Sequence, residues 1–324
     1  MKALLCKQFG EPDTLDIEEV ASTPPLGGEV RIRVRACGVN FADGLMVKGL
    51  YQVKPPFPFS PGTEVAGDVL AVGEGVTHVQ PGQRVMSLFN WGGMAEEVNA
   101  PAMLTLPIPD TMPYINAAAL SVAYGTAHIA LAHRGQLQAG ETLLVLGAAG
   151  GTGLAAVEIG KVMGSTVIAC ASTPEKLALT QQYGADYTIN YTTENIRDRI
   201  KAITNGRGVN VVYDPVGGSL TEACLRSLAW EGRLLVIGFT SGTIPQIPAN
   251  LPLVKNCSVV GVYFGAYAIH QPEILMDSLR TLTTWYIEDQ IKVPVTQTFP
   301  LAEASQAINA LHNRQATGKV VVEI

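Results

Sequence analysis

The run Gly147-Ala148-Ala149-Gly150-Gly151-Thr152-Gly153 follows the apolar stretch Leu143 to Leu146 and gives way at Leu154 to residues with helical spacing. Strand, glycine-rich turn and helix in that order form a phosphate cradle. Glycine lets the backbone turn tightly and approach a pyrophosphate, whose charge then rests on the helix N-terminus. The match to G-x-G-x-x-G is partial, because Ala148 stands at the first glycine while Gly150 and Gly153 keep the other two. Its placement between a strand and a helix points to a dinucleotide site rather than a bare turn.

The next strand-like run ends at Cys170-Ala171-Ser172, where a site preferring NAD carries a carboxylate for the ribose hydroxyls. None stands there. Ser172, Lys176 and Tyr191 offer hydroxyl and ammonium donors instead, which suit a 2′-phosphate and hence NADPH. Thr173-Pro174 also reads as an N-cap followed by proline at the first helical position, with Lys176 on the ensuing helix.

These residues need a scaffold, and the pattern predicts one in two parts. Up to about residue 110, alternating runs are separated by turn signals such as Pro24-Pro25, Gly27-Gly28, Pro61-Gly62 and Pro81-Gly82. The clearest is Val30 to Ala36, with Val30, Ile32, Val34 and Ala36 on one face and Arg31, Arg33 and Arg35 on the other. Leu15 to Val20, Glu64 to Val72, Arg84 to Leu88 and Glu96 to Val98 complete a mostly antiparallel region, read as a barrel.

From Leu143 onward the runs Leu143 to Leu146, Thr166 to Cys170, Val209 to Tyr213, Arg233 to Ile237 and Ser258 to Val262 lack alternation, as parallel strands buried on both faces do. Helical spacing separates them at Leu154 to Met163, Pro174 to Tyr183, Glu194 to Ile203 and Leu220 to Trp230. The fold class is therefore α/β, with a β-barrel domain and a doubly wound parallel sheet. The expected divisions are 1–120, 121–262 and a tail, 263–324, that returns to the first domain. The uncharged run Ser258 to Val262, last in the sheet, predicts a homodimer joined edge to edge.

Composition narrows the function. The 324 residues carry a net charge of -6 and no basic stripe, which disfavours nucleic-acid partners. The most apolar stretch, Thr142 to Gly164, is broken by six Gly, Glu158 and Lys161, so it reads as buried strand and helix rather than a membrane span. Five Cys without a C-x-x-C pair suit a reducing compartment, and the early sequence lacks a signal-peptide core, so the cytoplasm is expected.

Gly38-Val39-Asn40-Phe41-Ala42-Asp43, Pro61 to Gly67, the glycine-rich turn, Ile189-Asn190-Tyr191, Asp214-Pro215-Val216-Gly217-Gly218 and Thr317 to Val321 occur in an order that resembles the medium-chain dehydrogenase/reductase superfamily. Within it, the chain is similar to the zinc-free NADPH:quinone oxidoreductases related to zeta-crystallin. The resemblance implies a GroES-like catalytic domain, a Rossmann domain, and an active site in the cleft between them. Zinc members place a Cys ligand where this chain has Asn40 and Gly-His-Glu where it has Gly62-Thr63-Glu64. No Cys occurs between Cys37 and Cys170, so a four-Cys structural lobe is missing as well. Cys37 reads as a small buried hydrophobe.

Without a Lewis acid, substrates that accept hydride readily become the natural choice, quinones first and enals, enones or enoyl thioesters second. The resemblance implies Asn40 and Tyr51 as donors beside the substrate, Asn40 also beside the cofactor, with Asp43 holding Asn40. It implies cofactor contacts at Thr126, Ala149, Gly150, Gly151, Thr152, Gly153, Gly238, Phe239, Phe264 and Gly265, and at Arg314 and Lys319 for the phosphates. A non-catalytic crystallin-like or RNA-binding role is the reading of another class.

Overall fold

Short apolar runs between Gly and Pro give the first part of the chain its strands: β1 (Lys2–Leu5), β2 (Asp16–Glu19), β3 (Glu29–Val39), β4 (Glu64–Val72), β5 (Arg84–Leu88), β6 (Glu97–Pro101) and β7 (Thr105–Pro107). Helix α1 (Phe41–Val47) interrupts them, and α2 (Tyr114–His128) follows. The second part alternates β8 (Thr142–Leu146), α3 (Gly151–Val162), β9 (Thr166–Ala171), α4 (Pro174–Gln182), β10 (Tyr187–Asn190), α5 (Ile196–Ile203), β11 (Val209–Asp214), α6 (Ser219–Arg226), β12 (Leu228–Val236) and β13 (Ser258–Gly261). The tail adds helices at Pro272–Ile287 and Ala304–His312 and strands β14 (Val295–Pro300) and β15 (Lys319–Glu323). The computed structural model describes residues 1–324.

Two units result. One holds Met1–Ala123, Gly265–Ile287 and Lys292–Ile324; the other holds Tyr124–Phe264 and Glu288–Ile291. In the first, the sheet runs β14-β15-β3-β4-β5-β7, with β6 also paired to β3. Most pairings are antiparallel, and the alternation of β3 places Val30, Ile32, Val34 and Ala36 in the core. Beyond Ala36 the alternation stops and Cys37, Gly38 and Val39 are all buried, because β15 pairs there with Val321 opposite Gly38. The tail thus covers β3 where the catalytic candidates begin.

The second unit is a six-stranded parallel sheet in the order β10-β9-β8-β11-β12-β13. Its central strands are buried on both faces, Leu143 to Leu146 and Val167 to Cys170 being fully enclosed. Because the strands are parallel, the glycine-rich turn, Ser172, Tyr191, the Asp214 loop and Gly238-Phe239 all emerge at one edge, where such sheets bind ligands.

Two local expectations change. Tyr187–Asn190 is a strand, not anticipated because only Ile189 in it is fully buried. The helix expected to reach Trp230 ends at Arg226, and Trp230 lies in β12, 69% exposed, because Leu228 already pairs with Val209. The Ala-rich sequence that follows Pro113 reads as helix and forms one, Tyr114–Arg134, long and apolar enough to cross a membrane, with 72% of its apolar window buried in the protein, as in a core helix.

Candidate functional site

The nucleotide half of the site is built at the edge of the parallel sheet. After β8, Gly147 turns in the left-handed region at φ 57° and Gly150 caps α3 without a side chain. Gly153 is obligatory there, because a Cβ at this position would lie 2.2 Å from the Gly147 carbonyl oxygen. At Gly150 a Cβ would meet only the Gly147 oxygen, at 3.4 Å, so the turn stays open on that side. The first turn of α3 therefore presents its N–H groups with no side chain capping them, which is the arrangement an anion needs. The residues fit a dinucleotide.

One strand further out, β9 and β10 end in register, Ala171 opposite Asn190. Ser172 and Tyr191 follow these paired residues directly, and the Tyr191 N–H donates to the Ala171 carbonyl at 3.2 Å. The Thr192 hydroxyl donates to the Ser172 carbonyl at 3.1 Å. Thr173 caps α4, its hydroxyl accepting the Lys176 N–H at 3.3 Å, so the expected cap and the expected phosphate donor share one turn. Ser172, Lys176 and Tyr191 are half-buried, and Tyr191 packs on the sheet core. Ser172 and Tyr191 thus follow neighbouring strand ends, and Lys176 lies in the first turn of α4.

Inside the turn, Thr152 shares a hydrogen bond with the hydroxyl of Tyr213, which is fully buried near the end of β11. The next residue, Asp214, is buried too. Its Oδ1 accepts the N–H groups of Val216 and Gly217 at 2.9 and 2.8 Å, and its Oδ2 accepts the Thr221 hydroxyl at 2.6 Å. Gly238 and the partly exposed Phe239 lie just beyond β12, and the Ile237 N–H donates to the Asp214 carbonyl at 2.9 Å. Thr126 is 9% exposed on α2, and Phe264 is half-buried in the turn after β13.

The first unit carries a buried charged network. Lys319 is 3% exposed, and its ammonium donates to Glu64 Oε1 at 2.8 Å, Asn40 Oδ1 at 2.9 Å and the Val39 carbonyl at 3.2 Å. Since lysine only donates, the Asn40 amide must turn its oxygen to Lys319 and its nitrogen to Glu64 Oε1, at 2.9 Å. Glu64 Oε2 accepts the Val122 N–H at 2.7 Å. Gly38 permits this closeness, because a Cβ there would lie 2.4 Å from Glu64 Oε1.

Asp43 sits alongside, also buried. Its Oδ2 accepts the Asn40 N–H at 2.7 Å and its Oδ1 the Gly62 N–H at 3.2 Å, so it does hold Asn40, through the backbone. Burial pushes its carboxyl up to about 7; the two N–H donors and Lys319 pull down, while Glu64 adds to the rise. Burial likewise pushes the Cys37 thiol well up, so it is no nucleophile.

Two assignments are corrected here. Lys319 does not extend to cofactor phosphates, because its three donors are spent on Glu64, Asn40 and Val39. The Asn40 side chain does not offer a hydrogen to substrate, because its nitrogen faces Glu64 and, at 3.4 Å, the Gly38 carbonyl. Tyr51 lies after α1, half-buried against the core of this unit. Arg314 is exposed in a left-handed turn, and Gly265 is exposed in the turn that opens the tail. Glu64 and Tyr213 were not singled out from sequence; the signal available was a Glu inside Pro61 to Gly67 and a Tyr directly before the Asp214 motif.

Where zinc relatives carry their ligands, this chain offers an amide, a threonine and a carboxylate already neutralised by Lys319. That donor set does not fit zinc.

The description "Alcohol dehydrogenase GroES-like domain" matches residues 27–110, and "Zinc-binding dehydrogenase" matches 151–280. A quinone oxidoreductase-like protein 2 homolog of Nematostella vectensis is 44% identical over 99% of this chain and 88% of its own length. The quinone oxidoreductase of Escherichia coli, solved in complex with NADPH, superposes with a TM-score of 0.93 at 30% identity and full coverage of both chains. The CurK enoyl reductase superposes with a TM-score of 0.90 at 28% identity, over 99% of this chain and 98% of its own.

Proposed function

Because the chain belongs to the zinc-free, zeta-crystallin-like quinone oxidoreductases of the medium-chain dehydrogenase/reductase superfamily, we propose that it reduces quinones with NADPH. The observation that carries the cofactor is the edge of the parallel sheet. An uncapped glycine turn lies beside the end of β9, which carries no carboxylate and is followed by Ser172 and, in the first turn of α4, Lys176, while Tyr191 follows the neighbouring β10. When bound, NADPH supplies the hydride.

The chain's own residues bind and orient. The first turn of α3 takes the pyrophosphate, and Lys176 with the two hydroxyls takes the 2′-phosphate. Thr126, Gly238, Phe239, Phe264, Gly265 and Arg314 are the proposed remaining contacts. Tyr51 is the proposed hydroxyl donor to the substrate oxygen, now that the Asn40 amide is committed to Glu64. The Lys319–Glu64 pair and Asp43 hold the backbone around Asn40 rather than the reacting atoms.

A donor set unsuited to zinc favours a substrate that accepts hydride without a Lewis acid, and quinones are such a class. The likeness to an enoyl reductase supports a second reading, reduction of an enal, enone or enoyl thioester. We place the protein in the cytoplasm as a homodimer with a small electron-poor substrate and no nucleic-acid or membrane partner. A steady-state panel with NADPH against benzoquinones, naphthoquinones, enals and enoyl-CoA esters tests the reading. The highest kcat/KM is expected for a quinone, and a preference of more than about tenfold for an enoyl ester would replace it with the second.

A further inference from the structure

The order of the parallel sheet sets the direction in which a dinucleotide lies along its edge. With the 2′-phosphate donors following β9 and β10 and the pyrophosphate turn following β8, the nicotinamide half falls on the other side, beyond β11 and β12. There the loop after β11, Pro215 to Gly218, meets the loop after β12, Ile237 to Thr243.

Main-chain hydrogen bonds join the two loops. The N–H groups of Thr240 and Ser241 donate to the Pro215 and Val216 carbonyls at 3.1 and 2.9 Å, and the Gly218 N–H donates to the Thr243 carbonyl at 3.0 Å. Between these bonds the Phe239 ring rests on Gly217, where a Cβ would lie 3.0 Å from the ring's Cδ1. Gly217 also turns at φ 73°, so the backbone and the ring both call for glycine. Phe239 is 38% exposed, which leaves part of the ring open to a ligand.

The shape of the loop after β11 is set by Asp214. Its carboxylate is buried at the strand end and accepts the N–H groups of Val216 and Gly217 together with the Thr221 hydroxyl. Hydrogen bonds to an ionised acceptor are the strong ones, so three on one carboxylate hold the turn firmly.

We propose that Asp214 is a positioning residue for the nicotinamide end of the cofactor: through the Val216-Gly217 turn it sets the seat of Phe239, and Phe239 meets the nicotinamide. The proposal rests on the NADPH reading above and deepens it. Asp214 itself touches no ligand.

The test measures dissociation constants of the full-length protein for NADPH and for 2′-phosphoadenosine diphosphate ribose, which is NADPH without its nicotinamide. Asp214→Ala is expected to weaken NADPH by about fivefold to tenfold, the scale of one aromatic contact, and to leave the ribose fragment unchanged. Asp214→Asn keeps an acceptor for both N–H groups and should lose less. Where Asp214→Ala does not fold, Gly217→Ala reads the same effect, because its methyl group displaces the ring. In a Phe239→Ala background neither change should weaken NADPH further, because Asp214 acts only through the ring. Unchanged NADPH affinity in the variant that folds overturns the proposal and leaves the cofactor reading intact. So does a loss that extends to the ribose fragment or adds to that of Phe239→Ala, since either marks a loop that serves only the fold. A wild-type protein that binds NADPH no better than NADH overturns the cofactor reading and the proposal with it.

Discussion

Replacing Lys319 by methionine removes one partner of a buried ion pair while nearly keeping its volume. Lys319 is 3% exposed and Glu64 fully buried, so water cannot take over from the lost ammonium. Three hydrogen bonds disappear, at 2.8, 2.9 and 3.2 Å, and the Glu64 carboxylate keeps only its neutral donors, the Asn40 amide and the Val122 N–H. Removing one member of a buried pair costs about 3 to 5 kcal/mol. The two surviving donors place this case near about 3 kcal/mol. At roughly 2 to 4 °C per kcal/mol for a unit of this size, the melting temperature should fall by about 6 to 12 °C. Adding Glu64→Gln removes the stranded charge and should recover about 1 to 2 kcal/mol, so the two losses are not additive. Urea unfolding followed by circular dichroism reads both values. A single variant within about 0.5 kcal/mol of wild type would refute the argument, because that is the range of ordinary surface changes. A variant of unchanged stability with weakened NADPH binding would restore a phosphate role for Lys319.

Asp43, with its carboxyl pushed up to about 7, holds its proton more tightly in the folded than in the unfolded chain. Its contribution is full below about pH 4 and declines as pH rises to about 7, so stability should fall over that window, and the decline should flatten in Asp43→Asn; urea midpoints from pH 4 to 8 check this. Lys176→Ala should raise the Michaelis constant for NADPH about tenfold or more while sparing NADH and the turnover number; equal weakening of both cofactors would assign Lys176 to the fold. Activity should survive chelators, and protein purified without added metal should lack stoichiometric zinc; elemental analysis decides, and near-stoichiometric zinc would sink the argument from the donor set. Light scattering at micromolar concentration should give a dimer mass through the exposed β13 edge, and a monomer would contradict that placement.

The local features were legible in the chain. Alternation marked β3, unbroken apolar runs marked the central strands β8, β9 and β11, and the turn between Leu146 and Leu154 marked a nucleotide cradle. Each is encoded within a few residues, by side-chain period or by glycine's freedom at φ 57°. The short strand β10 escaped because only Ile189 in it is buried, and the end of α6 was misplaced because pairing of Leu228 with Val209 overrode helical spacing.

The site's charged network was a different matter. Asn40, Glu64 and Lys319 lie up to 279 positions apart, and nothing in the neighbourhood of Lys319 distinguishes a buried lysine from a solvated one. Its partners are set only when β15 lies against β3, placing the ammonium where Gly38 leaves room for a carboxylate. Tyr213 and Thr152 meet in the same way, because parallel pairing of β11 with β8 brings the end of one strand under the turn that follows the other. Sequence by itself determined the elements and the kind of ligand they could cradle. Only the tertiary structure decided which buried donors and acceptors face one another, since burial makes every unpaired polar group costly and the fold alone supplies its partner.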